Sequence, residues 1–342
     1  MKFTYLFIFL LFFIIFNLNS CKSKPKYKSI NAIYVWDARD SYNFLTDEES
    51  RLLLKNNVEK MYCKLTDVVW DEEFHASPSD VHEVPRSNSG LLFNSALITP
   101  CIFFENKVML KSTKEELSYM AKKIAGRIVK DGYKEVQLDC DWSENSKDNY
   151  FYFLKTLKVS LDTNAKTSAT IRLYQYRYPE KTGVPPVDRG MLMLYNFNQP
   201  KKYDHVNAIF DDSEAKKYLN GSKYPLPLDF ALPYYYWNIL YDAEGKFNSF
   251  VLDKDINFFK PNSSINKDST NYLVKKDFDI HGQFVRNGYR LVIHKIDQKI
   301  VKKAYNLIQD LENNNNYHVA LFDLNSKTLN YLNKDENIFK TH

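Results

Sequence analysis

The residues best suited to chemistry lie in one short stretch, Val136-Gln137-Leu138-Asp139-Cys140-Asp141-Trp142, which carries two carboxylates two positions apart. Its alternation sets Val136, Leu138 and Cys140 against Gln137, Asp139 and Asp141, as on an extended strand whose successive side chains face opposite ways. Asp139 and Asp141 then share one face, and Glu144 stands just past the strand on a loop that could reach the same space. Close carboxylates share a field that raises one apparent pKa and keeps the other ionised, as acid/base and glycoside chemistry requires. Glycosidic cleavage needs two carboxyl groups flanking the scissile bond, about 5 Å or about 6.5 to 9.5 Å apart. Positions i and i+2 of one strand are about 7 Å apart at Cα and point the same way. Asp139 and Asp141 are therefore one half of such an apparatus, and the opposite carboxylate is not identified by the sequence.

The elements that position this strand alternate along the chain. Strand signals run over Ala32 to Asp37, Met61 to Thr66, Leu97 to Phe103, Glu135 to Asp141, Ser168 to Leu173, Met191 to Tyr195, Leu228 to Leu232 and His318 to Phe322. Helical signals lie between them. Thr46 before Asp47-Glu48-Glu49 has the form of a capping box, and Ser112/Thr113 precede a segment with Leu117, Met120, Ile124 and Ile128 at helical spacing. Lys147 to Leu161 carries Tyr150, Phe153, Leu154 and Leu157, and further helices are expected over Asp212 to Leu219 and Lys299 to Glu312. The fold class is α/β, a single (β/α)8 TIM-type barrel over 31–342, with active-site candidates at the C-terminal ends of its strands. A β-rich insertion is expected at about 245–297, where Tyr272 to Lys276, Gln283 to Val285 and Leu291 to Ile296 read as extra strands. An alternative parse makes Leu291 to Ile296 the eighth barrel strand. The Asp71 to Ser95 loop is placed over the barrel mouth, where long loops serve as lids or binding walls.

Other strand ends offer Asp37 after Trp36, Asp67 after Thr66, Tyr174 with Gln175, and Tyr195 with Asn196. A sugar site needs these types, carboxylates and amides for hydroxyls and aromatic rings for the ring faces. Pro233-Tyr234-Tyr235-Tyr236-Trp237 is the best stacking platform, with Tyr235 and Trp237 as its candidate contacts, and it could equally be loop packing. Arg172, at the end of the fifth strand, either recognises a carboxylate on an acidic sugar or pairs with Asp139 or Asp141 to fill a polar layer of the barrel. His281 and His294 fall in the insertion and read as surface or hairpin residues rather than catalysts.

Met1-Lys2 and the apolar run Phe3 to Phe16 form a secretory signal, closed by Leu18-Asn19-Ser20-Cys21. This resembles a bacterial lipoprotein signal over 1–20. The resemblance implies acylation of Cys21, a lipid-anchored tether over 21–30, and a place in the cell envelope with a periplasm-facing site favoured. Cys63, Cys101 and Cys140 remain, an odd number inside apolar strands, read as buried free thiols. The formal net charge of +5 arises from 47 basic and 42 acidic residues, partly in the leader and tether, so no nucleic-acid footprint follows. Aromatic residues make up 15% of the chain, enough to leave rings for clefts as well as core. No metal-ligand spacing and no phosphate-binding loop is present, so no cofactor is implied.

The Asp139-x-Asp141-Trp142 strand resembles the Asp-x-Asp-x-Glu strand of the family-18 chitinase-like barrels, with Ser143 where that strand carries its glutamate and Glu144 displaced by one. A closer likeness is to a poorly characterised family of bacterial barrel proteins, often lipoproteins, with Asp-x-Asp-Trp followed by Tyr-x-x-x-Leu, here Tyr150 and Leu154. Ile171-Arg172-Leu173, Arg189-Gly190-Met191 and Ala231-Leu232-Pro233 are in the same style. The resemblance implies a glycoside-hydrolase-like barrel but no established reaction, and catalytic identity does not carry over to Glu144 without a local bulge. From the residues themselves, Asp139, Asp141 and Glu144 are the catalytic candidates and Asp37, Trp142, Arg172, Tyr174, Tyr195, Tyr235 and Trp237 the substrate contacts. A non-catalytic glycan-binding or envelope-assembly lipoprotein is the other reading.

Overall fold

The strand that carries the aspartates is buried along its whole length, Glu135–Cys140. It is the fifth strand named here, β5, in the computed structural model. That model describes residues 29–36, 44–79, 81–82, 86–87, 98–161, 165–195, 200–204, 206–220, 223–309, 311 and 316–324. The leader with Cys21, the tether to residue 28, and Asp37 lie outside the described residues.

Eight parallel strands close on themselves: β1 Ser29–Val35, β2 Val58–Asp71, β4 Ile98–Phe104, β5, β6 Lys166–Ile171, β7 Arg189–Met193, β8 Leu228–Pro233 and β16 Tyr317–Phe322. Closure is made by β1, which pairs with β16 on one side and β2 on the other. Strand β2 runs past the barrel and folds back as a hairpin with β3 His75–Ser79, so the first part of the Asp71 to Ser95 segment is sheet.

The helices form where the sequence places their caps. Thr46 and Thr113 each accept from the backbone of a glutamate three residues on, and those glutamates return the bond, starting α1 Asp47–Lys55 and α2 Lys114–Lys130. Helix α3 Lys147–Ser160 buries Tyr150, Phe153, Leu154 and Leu157 against the barrel wall. Each such side chain contributes about 1.5 to 3 kcal/mol relative to remaining exposed. After β6 comes a one-turn helix α4 Leu173–Arg177, and α5 Asp212–Leu219 and α6 Gln298–Gln309 precede β8 and β16.

Strand β5 also shows how the interior is layered, because alternate residues point inward. At the bottom, Glu135 pairs with Lys60 at 2.6 Å and accepts from Ser168 at 2.7 Å. In the middle, Gln137 accepts from the Tyr34 hydroxyl at 2.6 Å, and Tyr34 stacks on Tyr62 at 5.0 Å. At the top stands Asp139. A second bottom cluster holds Asp229 between Arg189 at 2.7 Å and His318 at 3.0 Å. Both bottom clusters sit at the N-terminal ends of their strands, where they fill the barrel rather than meet ligands.

The insertion starts earlier than the sequence pattern indicates. Strand β9 Tyr236–Tyr241 follows β8 after only Tyr234 and Tyr235, so Tyr236 and Trp237 begin a strand rather than belong to a loop platform. It pairs with β10 Phe247–Phe250 and β15 Arg290–Lys295. The sheet continues through β12 Asn271–Val274 to β11 Ser263–Ile265. A two-stranded ribbon, β13 Phe278–Ile280 and β14 Gln283–Val285, completes the unit. Leu291 to Ile296 therefore belongs to this sheet, and the alternative parse as a barrel strand fails. Leu240, Phe259, Tyr272, Val274 and Leu291 give the insertion its own core. No helix among the described residues is long and apolar enough to cross a membrane.

Candidate functional site

A cavity of about 810 Å³ opens at the C-terminal ends of the barrel strands and is walled on one side by the insertion. Barrel residues Trp36, Lys64, Asp67, Phe103, Asp139, Arg172, Tyr195 and Phe322 line it, and Trp237, Asn238, Phe250 and Asp253 come from the insertion. Loop sites between barrel and insertion are where an α/β barrel places variable binding surface.

Asp139 is 5% exposed and accepts from the Thr170 hydroxyl at 2.6 Å. Burial pushes its carboxyl up to about 6; the nearby Arg172 charge opposes this, and Asp141 adds to it. Such a group holds its proton into the mildly acidic range, where a general acid is useful. Asp141 takes a different place. It receives a two-point ion pair from Arg172, Nε to Oδ1 at 2.5 Å and Nη2 to Oδ2 at 3.0 Å, with about half of its own side chain (51%) open to solvent. Asp141 is not among the cavity-lining residues; it acts on the cavity through Arg172, which is.

Beside Asp139, the third row of the barrel contains a feature hidden from a simple alternation. Strand β2 carries a bulge at Leu65, between Lys64, paired with Cys101, and Thr66, paired with Ile102. The extra residue reverses the facing once, so Lys64 and Asp67 both turn inward although an odd number of steps separates them. Both line the cavity, and their charged ends are 2.9 Å apart. Asp67 lies level with Phe103, which in turn lies level with Asp139.

The aromatic wall is continuous. Tyr195 stacks on Phe322 at 5.2 Å, meets Tyr235 edge-on at 5.8 Å, and Tyr235 meets Trp237 at 5.8 Å. Trp237 then packs on Phe250 at 5.3 Å and Phe250 on Phe247 at 5.2 Å, the last two more than a third exposed. Tyr195 is 3% exposed, lines the cavity, and its hydroxyl has no hydrogen-bond partner. Burial raises its pKa well above the ordinary value, so it stays a neutral hydroxyl.

No family model and no curated protein matches this chain. Among solved structures, the spore cortex-lytic enzyme SleL of Bacillus cereus superposes with a TM-score of 0.53 at 10% identity, covering 90% of this chain and 74% of that one. SleL of Bacillus megaterium gives 0.53 at 13% identity, covering 88% and 72%. The likeness is one of fold. What each side chain does must come from the geometry of this chain.

That geometry separates the residues singled out in the sequence. Asp139, Arg172, Tyr195, Tyr235 and Trp237 meet on one cavity. Trp142 does not: it is 3% exposed, donates from its indole to the Thr182 carbonyl at 2.8 Å and stacks on Tyr150, as a core residue. Glu144 stands exposed in the turn before α3, and Tyr174 is 46% exposed on α4 against Tyr178, both off the cavity lining. Ser143 donates its backbone N–H to Ser146 Oγ at 2.9 Å, so the position after Trp142 starts a turn. His294 donates or accepts near Tyr241 and receives the Ala208 N–H, inside the insertion. Among the described residues of 71–95, none lines the cavity. Cys63, Cys101 and Cys140 are buried free thiols as expected. Among the described residues, no group of three or more His, Cys, Asp or Glu side chains could hold a metal ion.

Sequence reasoning missed Lys64 and the insertion wall of Asn238, Phe250 and Asp253. Only the bulge makes Lys64 and Asp67 neighbours, and no local signal marks it. The wall had a signal, since Tyr236 to Tyr241 is an almost unbroken aromatic and aliphatic run of strand length.

Proposed function

We propose that this chain is an envelope protein that acts on a glycan at its barrel mouth, with Asp139 as proton donor to a glycosidic oxygen. The observation that carries this is the juxtaposition, in one cavity, of a buried carboxyl that retains its proton to about pH 6 with a continuous aromatic wall. A carboxyl of that kind suits leaving-group protonation, and ring faces suit sugar stacking. Asp141 serves by fixing Arg172 over the cavity rather than by touching substrate. The cortex-lytic activity in the names of the two SleL enzymes makes amino-sugar polymers of bacterial walls the first substrates to test. Acylation at Cys21 would hold the barrel on a membrane surface, periplasm-facing, beside such polymers.

The test is reducing-sugar release from wall glycan, chitin oligomers and host glycans by the chain starting at Lys22, beside Asp139→Asn checked for folding. Release that disappears in the folded variant supports hydrolysis. Ser143 in the turn, together with Glu144 outside the cavity, favours a second reading, a glycan-binding protein without hydrolysis. Binding without release selects that reading; neither binding nor release removes both. Replacing Cys21 with Ser should abolish palmitate incorporation and release the protein from membranes, and unchanged membrane retention would contradict the anchor.

A further inference from the structure

We infer that Asp67 is the carboxylate opposite Asp139, and that the pair performs hydrolysis with inversion at the anomeric carbon. This rests on the glycan reading above and deepens it. Asp67 and Asp139 stand level across three adjacent strands, with Phe103 between them. Two strand spacings of about 4.8 Å put their Cα atoms about 9 to 10 Å apart, and inward-pointing side chains of a closed barrel converge from there. Carboxyl groups held about 6.5 Å or more apart leave room for a water beside the sugar, as inversion requires, whereas a retaining pair closes to roughly 5 Å. Asp141 cannot take this part, since both its oxygens are bound by Arg172 and it is not among the residues lining the cavity.

The two carboxyl groups are also prepared differently. Asp67 offers Oδ2 to Lys64 at 2.9 Å, while its Oδ1 is buried without a hydrogen-bond partner. A buried acceptor left unsatisfied is costly unless a ligand or water completes it. The Tyr195 hydroxyl, buried and equally unpartnered on a residue of the same cavity, is a second unsatisfied polar group there. In the reaction, the Asp139 carboxyl gives its proton to the glycosidic oxygen as the bond from that oxygen to the anomeric carbon breaks. Asp67 takes a proton from a water whose oxygen forms the new bond to that carbon on the opposite face. The products are a free hydroxyl on the leaving sugar and an inverted reducing end, and solvent returns the proton from Asp67 to Asp139.

The full-length protein, Asp67→Asn and Asp139→Asn are assayed on the glycan that the parent cleaves and on the 2,4-dinitrophenyl glycoside of the same sugar. Dinitrophenolate leaves without a proton. Asp139→Asn should therefore lose activity on the glycan and recover it on the dinitrophenyl glycoside, whereas Asp67→Asn should fall by about a hundredfold or more on both. Proton NMR of the first product formed by the parent should show inversion, and this readout does not depend on any variant folding. Retention of configuration, or a folded Asp67→Asn within about threefold of the parent on both substrates, would overturn the role of Asp67 and leave the glycosidase reading standing. A parent that binds the glycans but cleaves none overturns the Asp67 assignment together with the proton-donor role of Asp139, and leaves glycan binding standing. A parent that neither binds nor cleaves overturns the glycan reading as well.

Discussion

Replacing Asp139 with asparagine should make the protein more stable at neutral pH, and by an amount that pH itself reveals. Burial moves this carboxyl from its ordinary value of 3.8 to about 6, roughly two pK units. At about 1.4 kcal/mol per unit, the ionised form costs the folded state about 3 kcal/mol. Below about pH 4 the group is protonated in both folded and unfolded chains, and the cost is absent. Between about pH 4 and 6 the unfolded chain releases a proton that the folded chain retains, so stability falls as pH rises; above about 6 the loss is complete and constant. The asparagine side chain would keep the acceptor for Thr170 but bring an amide donor beside Arg172, for which about 1 kcal/mol is a fair cost. The variant should therefore be about 1 kcal/mol less stable than the parent at about pH 3 and about 2 kcal/mol more stable at about pH 7.5. Urea unfolding followed by circular dichroism at half-unit steps would show the difference turning over across that window. A gap that stays constant from about pH 4 to 7.5 would mean that Asp139 ionises normally, and the proposed proton donor would go with it.

Arg172→Met removes the cation that holds Asp139 down, so the Asp139 titration, followed by carbon-13 NMR, should move further above 6; no movement would show that Arg172 is electrostatically remote. Loss of the Asp141 pair itself should cost less than about 1 kcal/mol of stability, because that pair is half open to water, and the raised Asp139 pKa adds to this cost above about pH 6. Asp229→Asn, in contrast, breaks a buried cluster between Arg189 and His318 and should destabilise by about 3 to 5 kcal/mol at about pH 7. Burial alone would raise the Asp229 pKa, but the bonds and charges of His318 and Arg189 outweigh it and hold the carboxyl well below its usual range. Its contribution is thus present above about pH 4 and lost on further acidification, and an equal loss at every pH would contradict the charge pairing. Trp142→Phe should lower the melting temperature through a lost indole bond and packing, at about 1 to 3 kcal/mol, with glycan affinity unchanged; a selective loss of affinity would return Trp142 to the site.

The barrel is legible in the sequence because its signals are local. Caps at Thr46 and Thr113, the buried stripe of α3 and the apolar alternation of β5 all fall within a few residues of one another. The facing of Asp139 follows from the same alternation. Two features are not legible, for different reasons. Lys64 and Asp67 share a face only because one residue of β2 is unpaired, and strand periodicity carries no mark of a bulge until the partner strand is known. The start of strand β9 reads as loop because Pro233 and the tyrosines suggest a break, whereas antiparallel pairing with β15, more than fifty positions on, decides the matter. Trp142 reads as a site residue from its place after the aspartates, yet one step along the chain turns it to the other side of the wall.

The insertion leaves the barrel and returns to it at one point, since Tyr236 stands directly opposite Lys295 in an antiparallel pair. Its two ends are thus about 5 Å apart, a gap that a tight turn can close. A unit with its own core and adjoining ends can be gained or lost in a single genetic event, and it adds little topological burden to the scaffold it interrupts. It also contributes Trp237, Phe250 and Asp253 to the cavity, while Asp67 and Asp139 both belong to the barrel. On the proposed glycan reading, exchange of this one segment between related scaffolds would retune which ligand is held without disturbing the barrel carboxylates, a separation of recognition from reactivity that lets the two evolve at different rates.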